Sequence, residues 1–306
     1  MRTLLTLAAA TVLTVALSAC GGGSGTGSSV PATSPAGGAA PSQSTQSILT
    51  VSDASRIVLP PRGSDRYIDS VSNLNYYGGP VMNSPNIYVV FWGWGSDPAG
   101  EQAYLTKFLN GIGGSAWLNT VTQYSSTAGP IVNSAGQLKG TWSDPSSVPR
   151  HPTDYQVAVE AYYATQHFGA AGPDTAIIVA TPTGHYTRGF GTQWCAYHNY
   201  ATTYSGTVIN YTNLPYMTDA GQGCGMNAVN SGSAGLLDGV SIVAGHEVAE
   251  SETDPEPSSG WLDRSGSEIG DKCAWINMAD TTLSTGNFAV QPLWSNAKSG
   301  CVLHTP

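Results

Sequence analysis

The decapeptide HEVAESETDP, which begins at His246, places an imidazole and two carboxylates at a spacing that could do metal chemistry. Residues three and four positions apart share one face of a helix, so a helix here would bring His246, Glu247 and Glu250 together. Histidine and glutamate both bind divalent metals, and a further carboxylate can take a proton from a metal-activated water. Without a cation or compensating hydrogen bonds, the two carboxylates would repel each other. The stretch therefore predicts a divalent-metal site, and exposure of these side chains to solvent is the alternative.

Two more acidic residues, Glu268 and Asp271, follow in a Gly-rich stretch downstream. The pattern resembles zinc proteases of the thermolysin kind, in which an HExxH helix supplies two ligands and a base, and a later glutamate supplies the third ligand. This resemblance implies that His246, Glu250 and Glu268 bind the metal. It also implies that Glu247 is the catalytic general base and that Asp271 orients the ring of His246.

Glu250 stands where those proteases have a second histidine, and this changes the charge of the site. One histidine with two glutamates would neutralise a divalent cation, whereas two histidines with one glutamate leave a net positive charge. Water bound at the neutral site would be less acidic and a weaker nucleophile. Zn²⁺ is the expected cofactor, and Mn²⁺ or Ca²⁺ are the alternatives for a site so rich in oxygen.

If Glu250 does not bind the metal, another residue must complete the coordination. His198, in the segment CAYH beside Cys195, is the candidate, because a disulfide at Cys195 would fix its position. An ordinary structural histidine is the other interpretation of His198.

The chain has four cysteines beyond its N-terminal segment. An even number in an exported protein predicts two disulfides. Four cysteines allow three pairings. Closure of the shortest loops favours Cys195 with Cys224 and Cys273 with Cys301.

The N-terminus predicts export and lipid anchoring. Arg2 precedes the apolar run 4–17, which is too short to span a membrane and is typical of a secretory signal. The run ends in LSAC, which resembles the lipobox of bacterial lipoproteins, so cleavage after residue 19 would leave Cys20 as the lipid-bearing first residue. Residues 20–46 are almost wholly Gly, Ser, Thr, Ala and Pro, which predicts a flexible linker. We expect attachment through this lipid alone, at the outer membrane of a Gram-negative cell or on the outer face of a Gram-positive cell membrane.

Residues 47–306 are long enough for one large domain, and no second linker interrupts them. Charged residues are only 10% of the chain and the formal net charge is −9, which argues against binding nucleic acid. Runs of β-branched and aromatic residues predict buried strands at 86–93, 175–182 and 207–214. Helices are predicted at 98–110, 115–124, 154–168 and 238–254, the last with Asp238 as its cap. The mixture predicts an α+β, zincin-like single domain with a small mixed sheet, the HEVAE helix and Gly-rich loops.

The chain also resembles the phosphate-induced protein 1 family, called EXORDIUM-like. The resemblance lies in the segments YYGGPVMNSPNIYVVFWG, SAWLNTVTQY, GFGTQWCAYHNY, YTNLPYMTDAGQGCG, AGHEVAESETDP and GWLDRSGSEIGDKC. It implies an extracellular globular domain with no established chemistry. Two functions are therefore expected as alternatives. One is zinc-dependent hydrolysis of a peptide or protein substrate, and the other is non-catalytic binding or signalling at the envelope through a cell-wall component or partner protein.

Overall fold

The computed structural model describes residues 47–52, 58–64 and 71–305. The predicted signal peptide, the predicted lipid attachment at Cys20 and the predicted linker lie outside these residues. The chain divides into two units, Met1–Thr45 and Gln46–Pro306, and the described residues all belong to the second. Among the described residues, no helix combines the length and the apolar character that crossing a bilayer requires.

The described residues form an α+β domain in which a seven-stranded mixed sheet is the largest element. The strands are β1 (Leu49–Val51), β2 (Val58–Leu59), β3 (Asn75–Tyr76), β4 (Asn86–Trp92), β5 (Ser125–Ser126), β6 (Gly129–Pro130), β7 (Leu138–Asp144), β8 (Thr175–Ala180), β9 (Ala196–Thr203), β10 (Val208–Leu214), β11 (Trp261–Leu262), β12 (Ala279–Leu283), β13 (Gly286–Val290), β14 (Leu293–Ser295) and β15 (Gly300–Val302). The α-helices are α1 (Glu101–Ile112), α2 (Asp154–Phe168) and α3 (Asp238–Thr253). Short 3-10 helices lie at Leu118–Gln123, Met217–Cys224, Gly232–Gly235 and Asp271–Cys273.

The main sheet has the strand order β1-β9-β10-β8-β4-β7, and β2 also pairs with β9. Strands β10, β8, β4 and β7 run parallel to one another, whereas β9 runs antiparallel to β10, β1 and β2. Four further two-stranded sheets, β11-β3, β12-β13, β14-β15 and β5-β6, complete the β-structure of the described residues.

Helices cover both faces of the main sheet, as parallel strands require. Because side chains alternate along a strand, Val89 and Ile178 pack on the side of α1 and α3, whereas Val90 and Val179 pack on the side of α2. The two apolar clusters bury the sheet between them, and α3 lies in the larger one.

Most of the predicted elements are confirmed. The three predicted strands correspond to β4, β8 and β10, and the predicted helix 154–168 is α2, which has a capping box of Thr153 with Gln156 and ends at Gly169. The segment predicted as a helix at 115–124 is instead a 3-10 helix, Leu118–Gln123. The sequence analysis missed β7 and β9 and the four strands β12 to β15.

Asp238 was predicted to cap the N-terminus of α3, and this prediction was wrong. The N-cap position is Leu237, and Asp238 is the first residue of the helix. Its carboxylate accepts hydrogen bonds from the backbone N–H groups of Val229 and Asn230, at 2.8 and 2.6 Å. The side chain therefore holds the preceding loop against the helix rather than capping the helix itself.

Both predicted disulfides are confirmed. Cys195 is bonded to Cys224 and Cys273 to Cys301, with Cα–Cα distances of 5.5 and 5.7 Å. The first bridge starts at Cys195, immediately before β9, and the second starts at Cys273, the last residue of the 3-10 helix Asp271–Cys273. Each bridge therefore fixes a segment that carries one of the candidate metal ligands.

Candidate metal centre

Helix α3, which carries the HEVAE segment, is buried along its whole length. It packs against α1, β9, β10 and β13, and Gly245 lies directly beneath the aromatic rings of Trp117 and Phe108. His246, Glu247 and Glu250 are each at most 1% exposed. The alternative in which these side chains face solvent is therefore excluded, and their charges must be compensated inside the domain.

Strand β9 brings His198 against the ionisable face of α3. Its Nδ1 atom lies 3.3 Å from Glu247 Oε2 and 3.8 Å from Glu250 Oε2. On the other side of the ring, Nε2 lies 3.0 Å from the backbone carbonyl oxygen of Asp254. Because a carbonyl oxygen can only accept, this bond places a proton on Nε2, and in a neutral ring the lone pair would then lie on Nδ1, which faces the two glutamates.

The segment after β11 supplies the two remaining acidic residues. Glu268 Oε1 lies 3.4 Å from His198 Nε2, and Asp271 Oδ1 lies 3.8 Å from His246 Nε2. The backbone N–H of Asp271 donates to Glu250 Oε1 at 2.9 Å, which ties this segment to α3. Residues that are far apart in sequence therefore meet at one buried point.

His198, His246, Glu247, Glu250, Glu268 and Asp271 together form a buried cluster. Within this cluster, two groups of three residues each combine one histidine with two carboxylates. His198, Glu250 and Glu268 form one group, and His246, Glu250 and Asp271 form the other. In each group the potential ligand atoms all lie within 4.8 Å of one another, which is compatible with a shared metal ion. Glu250 belongs to both groups.

The structure therefore arranges the sequence-predicted site residues differently from the thermolysin-like pattern. Of the three predicted ligands, His246 and Glu250 are in one group, whereas Glu268 joins Glu250 in the group of His198. Asp271 lies beside Nε2 of His246, the same ring nitrogen that Glu250 Oε1 approaches to 3.0 Å. This position is that of a ligand rather than of a residue that orients the ring from its far side.

Several ligand atoms in the cluster lack a hydrogen-bond partner although they are fully buried. They are both ring nitrogens of His246, both carboxylate oxygens of Glu268, and Oε1 of Glu247. The 3.0 Å approach of His246 to Glu250 is close enough for an ion pair but does not have the alignment of a hydrogen bond. Buried polar atoms without partners are rare in proteins, and a bound cation would supply the missing interactions.

The electrostatics of the cluster couple the histidines to the carboxylates. Burial disfavours the charged form of His246, but the negative charge of Glu250, and then those of Glu247 and Asp271, outweigh it and raise its pKa to about 9. Burial raises the pKa of Glu268 well above its usual range, and the neighbouring charge of Glu250 adds to this rise. In the absence of metal, protons therefore occupy the cluster at neutral pH.

Glu247 and Glu250 differ from each other in protonation. Burial raises the pKa of Glu247, although a hydrogen bond from His198 opposes the rise. Burial acts in the same direction on Glu250, but the charges of His246 and His198 lower its pKa below the usual value. Glu250 is thus the carboxylate that stays ionised between the two imidazoles, and Glu247 is the one that accepts a proton more readily.

Three cavities formed by described residues lie elsewhere on the domain. The first is lined by residues of α2, β9 and β10, and the second by residues of α1. The third is lined by residues at the ends of β4 and β7 and by residues of α2. No residue of the cluster lines any of them. A substrate would need a conformational opening to reach these side chains.

The fold and the cluster define an α+β protein with a buried histidine–carboxylate centre beneath an antiparallel strand. Comparisons of the chain with family models, with curated proteins and with solved structures found no match. The resemblance to the EXORDIUM-like family thus stays a prediction from the sequence.

Two features of the centre were hidden from sequence reasoning. His198 was considered only as an alternative ligand, because the polar strand β9 does not show the apolar run of a buried strand. Sequence spacing could not predict that Glu250 belongs to both groups. This depends on where β9 and the segment that carries Glu268 lie against α3.

Proposed function

We propose that this protein is a divalent-metal-dependent peptidase with a zincin-like arrangement of its HEVAE helix. The observation that carries the proposal is the set of buried histidine and glutamate atoms that have no partner other than a possible cation. Imidazole and carboxylate ligands together suit Zn²⁺, and Mn²⁺ or Ca²⁺ are the alternatives. A helix that carries HExxE and packs beneath a mixed sheet with an antiparallel strand supports the zincin-like assignment.

In this proposal some residues of the chain bind the metal ion and another residue transfers a proton. The bound metal would polarise the scissile carbonyl and acidify a water molecule. His246, Glu250 and Asp271 would hold the ion, or else His198, Glu250 and Glu268 would hold it. Glu247 takes the proton of the attacking water, a role that suits a carboxylate whose pKa is raised by burial.

A second candidate function is favoured by the enclosure of the cluster. Each side chain that would bind metal or substrate is at most 1% exposed. A metal in such a site can stabilise the fold without meeting a substrate. The protein would then be a non-catalytic binding or signalling module of the EXORDIUM-like type that recognises a cell-wall component.

The experiment that separates these candidates compares two isosteric variants of the same helix, Glu247→Gln and Glu252→Gln. Glu252 is buried but lies outside the cluster, where burial raises its pKa well above the usual value. For a peptidase, Glu247→Gln retains its metal and loses roughly 10²- to 10⁴-fold in turnover of a peptide library, whereas Glu252→Gln keeps its activity. If the metal-loaded parent cleaves no peptide but binds a wall polysaccharide, and both variants bind it equally well, the protein is a binding module.

The same proposal places the protein at the cell envelope, attached by a lipid on Cys20. A clickable palmitate analogue fed to expressing cells should label the parent protein. It should not label Cys20→Ala, which should be recovered outside the membrane fraction. Equal labelling of both proteins would contradict lipid attachment at Cys20.

A further inference from the structure

Glu250 presents its two carboxylate oxygens to two different histidines. Oε1 lies 3.0 Å from His246 Nε2, and Oε2 lies 3.8 Å from His198 Nδ1. A carboxylate in this position can bind one metal ion through each oxygen. Two ions bridged in this way are typically about 3.5–4 Å apart.

Each side of Glu250 has the further residues that a metal ion needs. On the Oε2 side are His198 and Glu268, and on the Oε1 side are His246 and Asp271. Both groups combine one imidazole with carboxylates, so the two sides offer a metal ion the same kinds of ligand. Each group thus offers one histidine and one further carboxylate in addition to the shared glutamate.

A single ion would leave part of the cluster unsatisfied, whichever side it occupied. An ion bound with His198 and Glu268 would leave both ring nitrogens of His246 buried without a hydrogen-bond partner. An ion bound with His246 would leave both oxygens of Glu268 in the same condition. Because unpartnered buried groups of this kind are costly, the occupied site is more stable when both groups hold an ion.

We propose that the centre binds two divalent cations bridged by Glu250, one held with His198 and Glu268 and the other with His246 and Asp271. This inference rests on the metal binding in the proposed function and specifies its stoichiometry. Two bridged ions would both contribute to hydrolysis, because one would polarise the scissile bond and the other would acidify the attacking water.

The test uses the full-length chain, purified without chelator and then saturated with Zn²⁺ or with Mn²⁺. Elemental analysis of the zinc-loaded protein should give two ions per chain in the parent and in the control Glu252→Gln. His198→Ala and His246→Ala should each retain one ion. Glu250→Gln, which removes the bridge, should weaken binding of both ions at least tenfold.

Electron paramagnetic resonance of the unaltered manganese-loaded chain gives an independent measurement that does not depend on any variant folding. A bridged pair gives a spin-coupled signal, whereas a single bound ion gives the signal of isolated Mn²⁺. One ion per chain in the saturated parent, or two ions without coupling, would overturn the inference.

These outcomes are distinguishable from a failure of the proposed function. One ion per chain together with peptide cleavage would overturn only the two-ion centre. Two coupled ions without cleavage of any peptide would overturn only the peptidase, and no bound metal at all would overturn both.

Discussion

Gly270 lies against the ring of His246 so closely that a β-carbon on Gly270 would stand 2.6 Å from His246 Nδ1 and 3.0 Å from Glu250 Oε1. The backbone of Gly270 has a φ of −80°, which any residue can adopt. Glycine is therefore needed here because a side chain would not fit, and not because of the backbone conformation. The segment between Glu268 and Asp271 can approach α3 only because this position has no side chain.

We expect Gly270→Ala to displace His246 and to weaken metal binding by roughly tenfold or more, because the added methyl group moves a ligand out of position. Overpacking of this kind also costs about 1–3 kcal/mol of stability. Isothermal titration with Zn²⁺ and thermal unfolding measure the two effects. Gly95→Ala is the matched control, since a β-carbon there meets no atom within 4 Å and should change neither quantity. Unchanged zinc affinity in Gly270→Ala would show that His246 is not a ligand.

Lys272 is a buried lysine whose replacement should strongly destabilise the domain. Its Nζ atom lies 2.9 Å from Asp263 Oδ2 and 4.2 Å from the ring centre of Trp294. Lys272→Met would leave Asp263 buried without its cation, at a cost of about 3–5 kcal/mol in the free energy of unfolding. Chemical denaturation measures this loss, and the double replacement Lys272→Met with Asp263→Asn should recover much of it. If the double variant is no more stable than the single one, the buried charge of Asp263 is not the cause.

The stability of the metal-free protein should fall as the pH rises from about 6 to about 9. The folded protein raises the pKa of His246 from 6.5 to about 9, so the protonated ring stabilises the fold below pH 6.5 and this contribution is lost as the pH rises through about 9. The contribution of His246 is on the order of 3 kcal/mol. Glu268, whose pKa is also raised, acts in the same direction from its usual value of 4.5 upward.

Thermal unfolding of chelator-treated protein across this pH range measures the effect. His246→Gln, which cannot be protonated in this range, should show a flatter dependence on pH. Added zinc should reverse the trend, because metal binding requires deprotonated ligands and so stabilises the protein more at pH 8 than at pH 6. A melting temperature of the metal-free protein that rises with pH would contradict the assignment of protonated histidine to the cluster.

Removing the disulfide between Cys273 and Cys301 should weaken both the fold and the metal centre. The bridge joins residues 28 positions apart, and a loop of this length corresponds to about 3–4 kcal/mol of stabilisation through the unfolded chain. It also holds the end of the segment that supplies Asp271. The paired replacement of both cysteines by serine should lower the melting temperature and the zinc affinity together. Lower stability with unchanged zinc affinity would show that the bridge does not position the ligands.

The helices and strands that sequence analysis predicted are those whose signals are local. Helix α2 carries its own boundaries, since Thr153 and Gln156 begin it and Gly169 ends it. The strands β4 and β8 are continuous apolar runs, which is the pattern of parallel strands buried on both faces. Strand β9 was missed because its residues are largely polar, and their burial depends on β10, β1 and β2 on either side.

The sequence by itself determined which chemical groups could bind a metal, and it determined the α+β composition and the disulfide pairing that short loops favour. These properties follow from residue types and from spacings within one element or one loop. Only the tertiary structure decided that α3 is buried, that His198 faces Glu247 and Glu250, and that Glu268 and Asp271 fall in two different groups that share Glu250. The physical reason is that the helix fixes only the relative positions of its own side chains. The other ligands arrive on a strand and a loop whose approach is set by sheet pairing, by two disulfides and by the absence of a side chain at Gly270.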